Sequence, residues 1–233
     1  MSIKLNLTRV IENINTAVTN RNPQLNISAN VKLVAVTKNH TVTAIREAIA
    51  AGAAAIGENR VQEALGKYQE MNDCKVEWHL IGHLQTNKVR QAVPIFDLIH
   101  SVDSEHLAVE INRIAGKIGK RQDVLIQVNV ADEDSKFGIS PQTIISLGRF
   151  ISDLEHVRLC GLMTIAPFFE EPESARPVFK ELFQLFMNLK SCNLANTNLQ
   201  WLSMGMTNDY IIAVEEGANL VRVGTGIFGA RQY

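Results

Sequence analysis

From residue 31 to the end of the chain, short apolar runs rich in β-branched residues alternate with stretches whose apolar positions recur every three to four residues. The first pattern is that of a strand covered on both faces and the second that of a helix with one buried stripe. The apolar runs fall at 31–38, 53–59, 77–85, 97–103, 123–131, 157–167, 200–206 and 219–229, each followed by a polar or glycine-bearing loop. Between them, Val42, Ile45 and Ile49 fall on one helical face. So do Leu107, Ile111, Ile114 and Ile118, and then Val178, Phe179, Leu182, Phe186 and Leu189.

The punctuation agrees with this reading. Ser140 before Pro141 is an N-cap followed by proline at the first helical position, and Gly52 and Gly217 stand where helices hand over to strands. Ahead of the first strand, Leu7, Val10, Ile11, Ile14 and Val18 predict an additional amphipathic helix able to cover the sheet after the last strand. Eight strand-helix units in 233 residues predict an α/β chain folded as one (β/α)8 TIM barrel with an extra N-terminal helix. A doubly wound open sheet is the competing architecture, because strand pattern alone does not show closure. No linker rich in proline, glycine or serine divides the chain, and 193–198 reads as a polar loop, so residues 1–233 are taken as a single domain.

Composition narrows the function classes. With 46% hydrophobic and 20% charged residues the chain can bury a core and is not of the disordered type. Lys and Arg number 23 against 24 Asp and Glu, a formal charge of −1, and no basic run supplies the footprint of a nucleic-acid or anionic-membrane partner. No apolar stretch reaches the ~20 residues that span a bilayer. The start lacks the apolar core of a signal peptide, so a cytoplasmic location is expected. Cys74, Cys160 and Cys192 are odd in number and scattered, and read as ordinary thiols rather than a disulfide or zinc framework.

In (β/α)8 barrels the site lies at the C-terminal ends of the strands, with phosphate commonly bound after strands seven and eight. Here those loops are Ser203 to Asp209 and Gly224 to Gly229. Ser203, Thr225 and the glycine-flanked N–H groups of Gly224 and Gly226 suit an anion, although the glycines also fit plain turns. Lys38 ends the first apolar run and so stands at the same mouth. A partly desolvated lysine there can form a Schiff base, and taken alone it also reads as a solvated strand-end lysine. Arg222 shares a face with Leu220 and Gly224 in an otherwise apolar strand. Its buried guanidinium must be met by a carboxylate, a carbonyl or a ligand atom, a structural salt bridge being the simplest case. Glu58, Asn59 and Arg60 after strand two reach the same mouth, as do His79 to Lys88 through strand three. His79 and His83, four apart on that apolar run, are expected on one side, as core histidines rather than metal ligands. Lys136, in the charged loop after strand five, is a secondary candidate for holding ligand.

Several segments together resemble the pyridoxal phosphate homeostasis proteins, the YggS or PROSC family. They are Ala35-Val-Thr-Lys38, Ile56-Gly-Glu-Asn59, Trp78 to Lys88, His100-Ser-Val-Asp103, Asp134 to Gly138, Gly161-Leu-Met163, Ser203-Met-Gly-Met206 and Val221 to Arg231. The resemblance covers nearly the whole chain. It implies a barrel like the N-terminal domain of alanine racemase, holding pyridoxal 5'-phosphate (PLP) as an internal aldimine on Lys38. It further implies that Ser203, Met204, Gly224, Thr225 and Gly226 hold the phosphate, that Arg222 faces the pyridine nitrogen, and that Asn59 lies near the phenolic oxygen. A cation at that nitrogen opposes ring protonation and weakens the ring as an electron sink. Many members carry a second lysine two residues after the anchor where this chain has His40, and some carry a basic tail where this chain stops at Tyr233.

The expected role is therefore a PLP carrier in vitamin B6 homeostasis, a monomer without catalytic turnover, with PLP-dependent apoenzymes as recipients. The alternative is a PLP-dependent amino-acid racemase or decarboxylase, which needs a second acid-base group such as His79 or His83, since Tyr68, Tyr210 and Tyr233 lie in no second domain. A Schiff-base aldolase acting on a sugar phosphate would use the same lysine and loops.

Overall fold

The computed structural model describes residues 2–25, 27–131 and 137–229. Helix α1 (Ile3–Asn20) precedes the alternation of β1 (Lys32–Val36), α2 (Val42–Ala50), β2 (Ala55–Glu58), α3 (Val61–Glu70), β3 (Glu77–Leu80), α4 (Val89–Ala92), β4 (Leu98–Val102) and α5 (Glu105–Lys117). It continues through β5 (Gln122–Gln127), α6 (Ile144–Ser152), β6 (Val157–Met163), α7 (Arg176–Ser191), β7 (Thr197–Ser203), α8 (Tyr210–Glu215), β8 (Leu220–Val223) and a one-turn helix α9 (Thr225–Phe228).

All eight strands run parallel, and β1 pairs with β8 from Lys32↔Leu220 to Ala35↔Val223. That pairing closes the sheet and excludes the open doubly wound alternative. The strands are mostly shorter than the apolar runs, because each run continues into the loop that lines the mouth. Two ends differ more. β7 begins at Thr197, inside the expected polar loop, because Asn198 and Gln200 face solvent there. The eighth apolar run ends as a strand at Val223, and its remainder is α9.

Outward-facing strand residues meet the buried helix stripes, among them Phe179, Leu182, Phe186 and Leu189 of α7. Ile118 lies one residue past α5 and is exposed, so the stripe there ends at Ile114, and Ile11 of α1 is likewise turned outward. Ser140 precedes a 3₁₀ turn over Pro141–Thr143 and makes no side-chain cap bond; Thr143 Oγ1 instead donates to the Ser140 carbonyl at 2.9 Å. Helix α1 takes the place of the helix that would follow β8. Asn6 Nδ2 donates to the Ile227 carbonyl and Asn13 Nδ2 to the Tyr210 hydroxyl, both at 2.9 Å.

Inside the barrel, Val34, Ala55, Leu98, Leu125, Cys160, Met163 and Leu220 form a small apolar cluster. β6 crosses β7 so closely that a Cβ on Gly161 (φ 153°) would lie 1.8 Å from the Trp201 carbonyl oxygen, so only glycine fits there. Above and beside this cluster the inward positions are polar: His79, His100, Ser203 and Arg222, each at most 3% exposed.

Candidate functional site

Lys38 stands two residues past β1, half-buried at the C-terminal mouth. The chain reverses over Thr37 to His40, closed by the His40 N–H on the Thr37 carbonyl at 3.0 Å, with Asn39 in the left-handed region (φ 64°) that asparagine tolerates. A buried ion cluster behind the turn holds it. Lys67 Nζ donates to the Thr37 carbonyl (2.8 Å), Glu58 Oε1 (2.7 Å) and Glu63 Oε1 (2.6 Å). Thr37 Oγ1 donates to Glu58 Oε1 and the Asn39 N–H to Glu63 Oε1, each at 2.5 Å. Burial pushes the Glu58 carboxyl up, against the pull of Lys67 and Thr37, while at Glu63 the same lysine overcomes burial and holds the carboxyl down. Glu58 thus faces away from the mouth and supports Lys38 from outside the barrel, and Arg60 is exposed.

Asn59 follows β2, and its buried Oδ1 has no hydrogen-bond partner among the described residues. Across the mouth, the N–H groups of Gly224 and Gly226 both point at Thr207 Oγ1, each at 3.3 Å. A Cβ on Gly226 would meet Val223 Cγ1 at 2.9 Å and Thr207 Cγ2 at 3.2 Å, so a larger residue would have to displace those side chains. Thr207 was not recognisable from sequence, since only folding places its hydroxyl between the two loops. Thr225 is exposed at the start of α9, and Met204 is buried beneath the loop after β7. His40 stacks on Phe228 of α9, ring centroids 4.4 Å apart, and so packs beside the same loop.

Among the described residues Arg222 meets no carboxylate, and it is buried from solvent. Its Nη1 donates to Ser203 Oγ at 2.5 Å and its Nη2 to the Thr164 carbonyl at 2.7 Å. Burial lowers its pKa to about 10, opposed by Asp209, so it remains a cation at neutral pH. The salt-bridge expectation gives way to a hydroxyl and a carbonyl as its partners. Ser203 in turn contacts His100 Nδ1 at 3.0 Å, His100 Nε2 contacts His79 Nδ1 at 2.9 Å, and His79 Nε2 contacts Glu77 Oε2 at 3.2 Å. His79 and His83 do not share a side, because β3 ends at Leu80. His79 points into the barrel, whereas His83 lies at the mouth, 3.3 Å from Asp103 Oδ2 and stacked on Phe137 at 4.0 Å. His100 was visible only as part of a motif, and its inward position needed the strand register.

Both barrel histidines are held neutral: burial pushes His79 down, and burial, with the Arg222 cation nearby, pushes His100 well down. Protons then bind these rings more readily in the unfolded chain, so stability falls as pH drops below about 6.5, by up to about 1.4 kcal/mol per pH unit for each ring. Denaturant unfolding at pH 7.5 and 5.5 checks this. A His79→Gln/His100→Gln chain that keeps the full wild-type acid slope would contradict it.

A cavity of about 710 Å³ lined by Ile27, Phe186, Lys190, Leu199 and Asn219 lies at the opposite, N-terminal end of the strands and contains none of these groups. Lys136, Arg231 and Tyr233 lie outside the described residues. Among the described residues no three His, Cys, Asp or Glu side chains converge as a metal set, and no helix is long and apolar enough to cross a membrane.

Residues 5–232 match the family model for the alanine racemase N-terminal domain. The pyridoxal phosphate homeostasis protein of Aquifex aeolicus is 43% identical over 227 residues, covering 97% of each chain. This chain belongs to the pyridoxal phosphate homeostasis protein family. The Haemophilus influenzae member is 39% identical over 100% of this chain and 98% of its own. Among solved structures, PipY of Synechococcus elongatus without PLP superposes with a TM-score of 0.82 at 40% identity, covering 93% of this chain and 100% of that one. The same protein with PLP bound gives 0.79 at 39% identity over the same shares. Alanine racemase of Clostridium difficile, at 16% identity and TM-score 0.76, shares the fold over 98% of this chain and 60% of that one.

Proposed function

We propose that this protein binds PLP reversibly at the barrel mouth, with Lys38 as anchor, and serves intracellular PLP homeostasis by delivering the cofactor to, or withholding it from, PLP-dependent apoenzymes. The observation that carries this reading is the convergence of Lys38, Arg222, the orphaned Asn59 Oδ1 and the Gly224–Gly226 N–H groups at one mouth. Family membership and the PLP-bound relative support it.

The residues present fit the cofactor. When bound, PLP supplies an aldehyde that condenses with a lysine amine with loss of water, and a ring that can store electrons. Lys38 Nζ is the amine, aimed by the Glu58–Lys67–Glu63 cluster. The glycine N–H groups and the Thr225 hydroxyl are the anion donors, with Met204 beneath them, while the buried Ser203 hydroxyl is engaged by His100 and Arg222 and serves the site through the guanidinium. Arg222 would face the ring nitrogen as a permanent cation and oppose its protonation, which would favour holding the cofactor over carbanion chemistry. Asn59 has polar capacity to spare for the phenolic oxygen.

The racemase or decarboxylase reading survives through one observation, His83 paired with Asp103 at the mouth, which is placed as an acid-base group would be. His79 is committed to His100 and Glu77 inside the barrel. Racemisation of L-alanine, followed by chiral chromatography, separates the two. The protein with added PLP is expected to match free PLP. A rate well above that control, lost in His83→Asn, would replace the carrier by an enzyme.

A further inference from the structure

The chain of polar groups through the barrel has one consistent arrangement of protons. The Glu77 carboxylate only accepts, and the His79 hydrogen bond together with Lys32 Nζ at 2.5 Å holds its pKa down to about 2. His79 must therefore carry its proton on Nε2 and, being neutral, accept at Nδ1. His100 then donates from Nε2 and accepts at Nδ1, the Ser203 hydroxyl donates to that nitrogen, and Ser203 Oγ is left to accept from Arg222 Nη1. Every donor points from the Arg222 cation at the mouth toward the Glu77 anion at the floor, where Lys32 also stands over the Trp201 ring at 4.7 Å. Side chains from β3, β4, β7 and β8 thus form one polarised line through an interior that such barrels ordinarily fill with aliphatic layers.

We infer that His79 and His100 are positioning residues for the ligand ring: through Ser203 they fix the Arg222 guanidinium at the mouth and tie it to the carboxylate of Glu77 at the opposite rim. The inference rests on the proposed binding of PLP, and it goes beyond that reading by giving groups that touch no ligand a role in how the ring is held. The guanidinium has few other restraints. Its Nη2 holds the Thr164 carbonyl, and Asp209 is the acid that acts on it, without forming an ion pair. Without an acceptor on His100, the Ser203 hydroxyl can turn its proton elsewhere and Arg222 loses a fixed partner. The charged groups acting on His79 are Glu77, Lys32 and Asp97, and on His100 they are Arg222 and Lys32. Lys32 and Glu77 at the floor are thus electrostatically coupled to the mouth.

Two measurements test this. In the chain without added ligand, long-range ¹⁵N–¹H correlation of the imidazoles should show His79 and His100 both neutral and protonated on Nε2 at pH 7. A charged ring, or a proton on His100 Nδ1, would overturn the line. In PLP titrations followed by visible absorbance, His100→Phe is expected to weaken binding about tenfold, the equivalent of one hydrogen bond to a charged group. It should also shift the pH midpoint of the bound band. Glu77→Gln, at the half-exposed rim, should move both in the same direction by a smaller factor. It keeps the test decisive if His100→Phe does not fold. A purely structural role would lower stability and leave affinity and band at wild-type values in both variants, and that result would overturn the inference. A wild-type chain that takes up no PLP would instead defeat the binding reading, and the line through the barrel is then judged on the tautomers alone.

Discussion

Replacing Lys67 by methionine is expected to lower the unfolding free energy by about 3 to 5 kcal/mol, the cost of stranding one member of a buried ion pair. Lys67 is 8% exposed and Glu58 fully buried, and Glu58 Oε2 already has no partner among the described residues. Removing the ammonium leaves that carboxylate with the Thr37 hydroxyl alone and takes a hydrogen bond from the Thr37 carbonyl. Methionine keeps most of the lysine stem's packing, so the loss reports the charge rather than a cavity. Denaturant unfolding should show a lower midpoint with an unchanged slope. Adding Glu58→Leu should recover most of the loss, because a paired charge replaced as a pair costs little. A single-variant cost below about 1 kcal/mol would show that the cluster does not support the Lys38 turn as described.

Lys38→Ala is expected to abolish the visible band of the PLP-loaded protein and weaken PLP binding by at least about a hundredfold, two decades or about 2.8 kcal/mol. Stability should fall by less than in the Lys67 variant, because the bonds that shape the turn are made by other groups. The reason lies in the division of labour at the turn. Its shape is held by the Thr37 carbonyl and hydroxyl and the Asn39 N–H, whereas Lys38 itself is half-buried at the mouth. Equilibrium titration by absorbance checks the first expectation and thermal unfolding the second. An alanine variant that retains the wild-type band and affinity would remove Lys38 from the anchor role.

The barrel was legible because parallel strands covered on both faces leave continuous apolar runs, and eight of them interleaved with helical stripes admit few closed arrangements. The ends of elements were not. Residues 224–229 continue the apolar run of β8 without a polar break, yet Gly224 turns the chain into α9. Asn198 hid the start of β7, because a strand with one exposed face reads locally as a loop. At the mouth, the positions of Lys38, Ser203, Arg222 and the glycine loop were legible because strand ends can be counted from sequence, whereas Met204 and a role for Asn59 came only with the family resemblance. Three features required the fold. The Glu58–Lys67 pair joins a strand to the following helix on the outer face of the sheet, His100 is aligned with His79 and Ser203 only by the register of three strands, and Thr207 joins two loops. His79 and His83 were misjudged as a pair because the strand carrying the first stops three residues before the second.

The most direct test is borohydride reduction of the wild-type protein incubated with PLP, followed by peptide mass mapping. A reduced pyridoxyl adduct on Lys38 is expected, formed together with loss of the visible band. An adduct at another lysine, or no adduct despite bound PLP, would contradict it.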